Sequence, residues 1–423
     1  MQKCPVILMI IKSGHFPLLV FFDILPFMFV KTYRFKLYHS KRNKKLHHQI
    51  NIAGCIYNHC IALHKRYYRL YGKYLNKFKL QSHITKLKSK SRFAFWKQVG
   101  SQAIQELTER IDKGYQRFFD YAKKKTSQKA SPPNFKKVKK YKSFTLKQAG
   151  WALEGQRIHL GKLYYGYFAS RPIIGKIKTV TVKRDNCGDL FICFSVIVDS
   201  NQNLPMTGKI AGFDFGLLTF LTSSDTQEYE APLFLKESFK ALKSLQKALA
   251  RKVKGSNHRV QTTLQIAKLH RQIANQRKDY HFKLARELCS KYDLLFFEDL
   301  NIKAMQALWG RKISDLGFAA FLDILSAQAL QYGKKLHRID RFYASSKTCS
   351  HCGHKKKQLS LETRIFECES CSMQICRDKN AAINIERVGA STLGLDTVRP
   401  GISLGKCCLK PESLSLNLNY SSG

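Results

Sequence analysis

The most specific chemistry in the sequence lies in four cysteines arranged as two tight pairs, Cys349-x2-Cys352 and Cys368-x2-Cys371. Fifteen residues separate the pairs, a spacing inside the window of zinc ribbons. Each pair sits in a short knuckle, Cys349-Ser350-His351-Cys352-Gly353 and Cys368-Glu369-Ser370-Cys371, so four thiolates can converge on one tetrahedral ion. A closed shell of four sulfurs is structural. So short a segment cannot bury a core of its own, and the metal must supply its folding free energy, about 10–16 kcal/mol in comparable peptides. Cys376 lies too far along the chain to belong to either knuckle.

Three carboxylates form a second group. Asp214 follows an apolar strand start, Glu298 ends the buried run Leu294-Leu295-Phe296-Phe297, and Asp378 precedes the helical opening Asn380-Ala381-Ala382-Ile383-Asn384. Acids at strand ends and helix starts can meet, and three of them could hold two Mg²⁺ ions about 3.5–4 Å apart for phosphodiester hydrolysis. Taken singly, each acid is as readily a helix cap or a surface ion pair, and spacing alone does not assign the triad.

The chain around these groups is strongly basic. Its 423 residues carry 74 Lys and Arg against 29 Asp and Glu, a net charge of +45, which excludes an ordinary enzyme surface and calls for a polyanionic partner, foremost nucleic acid. With 44% hydrophobic residues, 28 Phe and 19 Tyr, the chain can build real cores, so global disorder is excluded. Thirteen cysteines, an odd number in so long a chain, fit a reducing compartment with a metal site better than a disulfide scaffold. The apolar start, Pro5 to Val30, is broken by Lys12, Gly14, His15, Pro17, Asp23 and Pro26. It therefore falls short of the roughly 20 apolar residues of a membrane span, and Met28 is the favoured natural start.

Elements can be read along the rest. Apolar and basic residues alternate from Lys31 to Tyr38 as in a strand, and residues 49–125 carry apolar residues at helical spacing. The basic face of that helical region is interleaved with Tyr67, Tyr68, Tyr71, Tyr74 and Phe78, which could stack bases or pack a bundle core. The stretch 123–142, with Pro132 and Pro133, is a connector. Strands follow at Phe144–Leu146, Arg157–Leu160, Ile177–Arg184 and Leu190–Val198, the last two joined by a turn at 185–189. With residues 31–38 they could close a small barrel. Two long helices, about 236–253 and 258–292, turn at Gly255-Ser256, the second reaching about 50 Å.

Ordered motifs then match a known pattern. They are Lys31-Thr32-Tyr33-Arg34-Phe35-Lys36-Leu37-Tyr38, Pro133-Asn134-Phe135-Lys136, Gly212-Phe213-Asp214-Phe215-Gly216-Leu217, Glu298-Asp299-Leu300-Asn301-Ile302, the stretch Ser345 to Gly353, and Arg377-Asp378-Lys379-Asn380-Ala381-Ala382-Ile383-Asn384. From about Met28 to Arg387 the chain resembles TnpB, the OrfB-type RNA-guided nuclease family of insertion sequences, relatives of type V CRISPR effectors. Two departures stand out: Phe213 and Phe215 replace more usual aliphatic residues, and Cys376-Arg377-Asp378 keeps only the second acid of the family's Asp-Arg-Asp. Asp378 is therefore aligned with the catalytic position.

The resemblance implies a multidomain α+β protein with a RuvC-like, RNase H-type α/β nuclease core, a zinc ribbon insertion, and a small β-barrel interrupted by a helical lobe. The segments would be an apolar extension outside the fold (1–27), the barrel (28–48 and 126–205) and a helical nucleic-acid recognition lobe (49–125). The nuclease core with its helix hairpin (206–344), the zinc ribbon (345–376), the last core segment (377–390) and a disordered tail (391–423) would follow. Asp214, Glu298 and Asp378 would bind catalytic Mg²⁺, and Cys349, Cys352, Cys368 and Cys371 structural Zn²⁺. The expected partners are a guide RNA and double-stranded target DNA, with no membrane, in a monomer acting in the bacterial cytoplasm.

Overall fold

The computed structural model describes residues 29–198, 203–360 and 362–395. The chain forms two compact units, divided at Asn201 and Gln202. Residues 1–27, expected to stand outside the fold, and Met28, expected as the start, lie outside the described residues.

In the first unit, strand β1 (Phe29–Lys36) leads to helices α1 (Asn43–Tyr71), α2 (Lys77–Lys88) and α3 (Ser101–Ala122), with a 3₁₀ segment at Ser91–Gln98 between the last two. Buried residues recur along α1 at Leu46, Ile50, Ala53, Tyr57, Ile61 and His64, the spacing of one helix face. Gly72, at φ +61°, ends the helix and returns its N–H to the carbonyl of Tyr68. Asn76 caps α2 by accepting from the N–H of Lys79. The aromatic residues left open between two roles divide between them: Tyr74 packs against Tyr115 and Phe119, whereas Tyr68, Tyr71 and Phe78 are more than half exposed.

The strands of this unit are β2 (Ser143–Leu146), β3 (Trp151–Glu154), β4 (Arg157–Leu160), β5 (Leu163–Gly166), β6 (Lys176–Arg184) and β7 (Leu190–Val198). They do not close the expected barrel. An antiparallel sheet runs β1-β7-β6-β2, and β3-β4-β5 make a separate meander. A lone bridge from Leu37 to Tyr167 links the two, and no ladder among the described residues joins β2 to β3. Only four residues separate β2 from β3, and β3 buries neither face, so nothing draws it into the other sheet's core.

The second unit is built on a five-stranded sheet. Its elements are β8 (Ile210–Phe215), β9 (Thr219–Ser223), β10 (Glu228–Glu230), a short helix α4 (Phe234–Glu237), the hairpin of α5 (Phe239–Ala250) and α6 (Asn257–Lys291), then β11 (Leu294–Glu298). Helices α7 (Ile302–Leu316) and α8 (Phe318–Tyr332), strand β12 (Lys335–Ile339), the small pair β13 (Ile365–Glu367) and β14 (Gln374–Cys376), and helix α9 (Arg377–Thr392) complete it. The sheet order is β10-β9-β8-β11-β12, with β11 parallel to both β8 and β12.

A strand's two-residue period sorts the faces. Ala211, Phe213 and Phe215 of β8, with Leu295 and Phe297 of β11, join Leu284, Leu288, Phe318 and Phe321 from α6 and α8 in one core. Leu294 and Phe296 turn to the other side and pack with Ile385 of α9. Residues 391 and 392 continue α9 and Leu395 packs against it, so these residues do not belong to the expected disordered tail. Its remainder lies outside the described residues.

Candidate metal centres

Period two places Asp214 on the same face of β8 as Gly212, and Glu298 on the same face of β11 as Phe296. That is the face covered by α9. The register pairs Phe213 with Phe297, so the two acids follow side by side at the carboxyl ends of parallel strands. Two glycines let the helix come close enough to add Asp378. A Cβ on Gly212 would stand 2.2 Å from the carbonyl oxygen of Ala382 and 2.4 Å from the nitrogen of Glu386, and one on Gly389 would stand 2.1 Å from the ring of Phe296. Only glycine fits at either contact.

The electrostatics follow from this neighbourhood. Burial, then the charges of Glu298 and Asp378, push the Asp214 carboxyl well above the ordinary carboxylate range, with Arg377 opposing. Burial also raises Glu298, against a hydrogen bond donated by the hydroxyl of Ser345. Asp378 sits in the first turn of α9, where Arg377 Nε lies 3.3 Å and Arg364 Nη1 3.9 Å from its oxygens. Neighbouring Asp299 is engaged elsewhere, 2.5 Å from Arg341 and 3.8 Å from Arg338. Three oxygen donors with so unfavourable a charge balance suit a hard divalent cation.

The four cysteines draw together more tightly. Cys349 and Cys371 sulfurs are 3.7 Å apart, those of Cys352 and Cys368 3.5 Å, and all four lie within 4.8 Å of one another. Among the described residues they alone form a metal-sized group by that measure, so the three carboxylates are neighbours that stop short of such closeness. The knuckles turn where left-handed backbone is needed, at Gly353 (φ +77°) and Ser372 (φ +56°). The N–H of Cys349 returns to the carbonyl of His354 and that of Cys368 to Met373, closing each turn. The cluster can bind a zinc ion. Cys376, the cap residue before α9, lies outside it.

Sequence reasoning did not assign the residues that join the two centres. Asn380 accepts from the N–H of Ser350 at 2.8 Å and donates to the carbonyl of Thr348 at 2.7 Å. Asn384 donates to the carbonyls of Ser345 and Thr348 at 2.8 and 2.6 Å. Beneath the acids, Ser224 accepts from the N–H of Gly212 at 3.1 Å and its hydroxyl donates to buried Glu386. The one sequence signal was polar residues, Asn380, Asn384 and Glu386, on the buried side of an otherwise apolar helix.

Residues 192–308 match the OrfB_IS605 family model, described as "Probable transposase", and residues 318–385 match the Cas12f1-like TNB domain. The chain is 28% identical over 361 residues to "Putative RNA-guided DNA endonuclease InsQ" of Escherichia coli K12, covering 80% of this chain and 87% of that one. It is 30% identical over 237 residues to TnpB-like protein L770 of Acanthamoeba polyphaga mimivirus, covering 52% and 45%. The chain is similar to TnpB proteins. The two family models between them span all three acids and all four cysteines of this chain. Its fold is similar to the Cas12f1 chain of a solved sgRNA and target DNA complex, at TM-score 0.53 and 14% identity, over 85% of this chain and 99% of that one.

Proposed function

We propose that this chain is a TnpB-type RNA-guided DNA endonuclease of a transposable element, cutting target DNA beside a short flanking motif. The carrying observation is the placement of Asp214 and Glu298 at the ends of adjacent parallel strands, with Asp378 in the first turn of α9, the helix that covers that face. In this reading the second unit is a RuvC-like, RNase H-type core, the three acids hold Mg²⁺, and Cys349, Cys352, Cys368 and Cys371 hold structural zinc. Magnesium bound there would supply water activation and stabilisation of the leaving 3′ oxygen.

The chain's own residues prepare that site. Ser345 fixes the orientation of Glu298 through its hydroxyl, and Arg364 and Arg377 balance the charge of Asp378. Gly212 and Gly389 set the depth at which α9 presents Asp378 to the strands. The net charge of +45 suits a guide RNA and target DNA as partners, and the site of action would be the bacterial cytoplasm.

A guided DNA-binding regulator without cleavage is the rival reading, and the presence of all three acids disfavours it. The test is to purify the protein from its host, sequence the RNA that accompanies it, and offer DNA matching that RNA with and without Mg²⁺. Metal-dependent cutting of matched DNA alone supports the proposal. Matched binding without cutting favours the regulator, and the absence of a defined RNA species overturns both.

A further inference from the structure

Phe342 is 89% exposed, so almost the whole of its ring stands in water. That forgoes the stabilisation a buried ring returns, although a single exposed apolar residue alone means little. Its place and its rigidity mark it out.

Strands β8, β11 and β12 are parallel neighbours and end on one edge of the sheet. Asp214 is the last residue but one of β8, Glu298 closes β11, and Ile339, paired with Glu298, closes β12. Phe342 follows on the turn that leaves this edge. Ligands of parallel sheets seat beyond the carboxyl ends of the strands, so the turn stands where a substrate of the acids would lie.

The turn is held from both sides. Asp340 accepts the N–H of Phe342 itself at 2.6 Å. Before the ring, Arg341 donates from Nε to the carbonyl of Asp299 at 2.9 Å and from Nη2 to its carboxylate at 2.5 Å. After it, the N–H of Ser345 returns to the carbonyl of Tyr343 at 3.0 Å, while the Ser345 hydroxyl binds Glu298. Residues on either side of Phe342 are thus tied to the consecutive acids Glu298 and Asp299, and the backbone that presents the ring is fixed. Arg338 stands 3.8 Å from Asp299, half-exposed, with guanidinium donors left to meet a phosphate.

A rigid ring facing solvent beside a phosphodiester site has the chemistry of a base-stacking platform. Every base has a face for it, and only an unpaired base leaves that face open. We propose that Phe342 stacks on an unpaired base of the DNA strand that enters the acid site, close to the bond that is cut, and so positions that bond over Asp214 and Glu298. The inference rests on the nuclease reading for its substrate and adds to it a positioning residue outside the set of acids.

Two measurements on the full chain with its co-purified RNA test it. The first is single-turnover cleavage of matched DNA. Phe342→Ala should lower the rate about tenfold, Phe342→Trp should restore it, and Phe342→Leu, apolar but without a ring face, should not. All three variants should melt with wild type, because so exposed a side chain packs on little within the chain. Abasic nucleotides placed one at a time along the cut strand should slow wild type at a position near the cut, and should cost Phe342→Ala nothing further there, as two changes to one contact do.

The second measurement uses the Asp214→Ala chain, so that the strand stays whole. Matched DNA carrying 5-iodouracil in that strand is irradiated on the protein, and the digest should show an adduct on Phe342 that unmatched DNA does not give. In a chain that cuts, both the rate loss and the adduct are required, and either one missing overturns the proposal. Rescue by Phe342→Leu, or a lowered melting temperature in Phe342→Ala, would show that the ring packs on the protein itself and overturn it too. A wild-type chain that cuts nothing while matched DNA still marks Phe342 would sink the nuclease reading and leave the stacking contact standing. Neither cutting nor adduct would sink both.

Discussion

Ser345 binds Glu298 with its hydroxyl and is itself gripped by Asn384 through its carbonyl. One residue thus ties a strand-end acid to α9 and, four residues on, to the first cysteine of the metal cluster. The acids and the cysteines are separate centres on one connected frame.

The first expectation concerns the acids. Asp214→Ala, Glu298→Ala and Asp378→Ala should each lower Mg²⁺-dependent DNA cleavage by roughly 10³-fold or more while leaving RNA and DNA binding in place. Rates from single-turnover cleavage of matched DNA decide it. Near wild-type cutting by any variant removes that acid from the site.

For the cysteines, elemental analysis should find one zinc per chain, unchanged in Cys376→Ser and lost in Cys349→Ser with Cys352→Ser. A fall in zinc content on changing Cys376 would show that the ligand set is wrong.

Gly212→Ala should destabilise the second unit by about 3 kcal/mol, because the added carbon has only backbone atoms of α9 to displace. Thermal unfolding reads this directly, and an unchanged melting temperature would mean that α9 can move away from β8.

Acid should weaken the protein through a different residue. His281 is buried against the carbonyl of Leu316, and burial, aided by Arg277, lowers it to about 4 from 6.5. The unfolded chain therefore binds a proton that the folded chain refuses, so stability falls as pH drops from 6.5 towards 4 and levels off below. The loss from this residue is roughly 3 kcal/mol once the pH is below 4. His47, His59, His64 and His83 are lowered by burial too and add in the same direction. The raised carboxyls Asp214 and Glu298 act in the opposite direction, so the check is denaturant unfolding of wild type and His281→Gln at pH 7 and pH 5. Wild type should lose more stability than the variant on acidification, and an equal or smaller loss would refute it.

Finally, the chain carrying RNA should melt above the stripped chain at moderate salt, and the gap should close as salt rises. Each phosphate neutralised contributes a slope of about −0.7 to −0.9 in the logarithm of affinity against that of salt. Equal melting temperatures with and without RNA would reduce the basic surface to a solvated one.

Local pattern carried some of this architecture and not the rest. Glu298 was legible because four apolar residues precede it, and the helix hairpin because Gly255 interrupts two periodic runs; Gly255 indeed turns at φ +91°. Asp378 was legible only through its motif, since an acid in a helix's first turn is common. The bridging roles of Ser345, Asn380 and Asn384 were not, because they depend on carbonyls 30 to 40 residues away that no local period announces. The barrel failed for a similar reason: strands β3 and β5 are four residues long, and which sheet they join is decided by long-range pairing such as Leu37 with Tyr167.

The two bare glycine contacts under α9 also limit how the acids can move. Where side chains separate a helix from a sheet, rotamer changes give the joint some play; here backbone meets backbone at Gly212 and ring meets backbone at Gly389. The joint has no slack to absorb a slide or a turn of the helix. Asp378 therefore keeps its station relative to Asp214, and any gating of the site must be done by the parts that ring it, leaving the acids themselves as the stationary anvil.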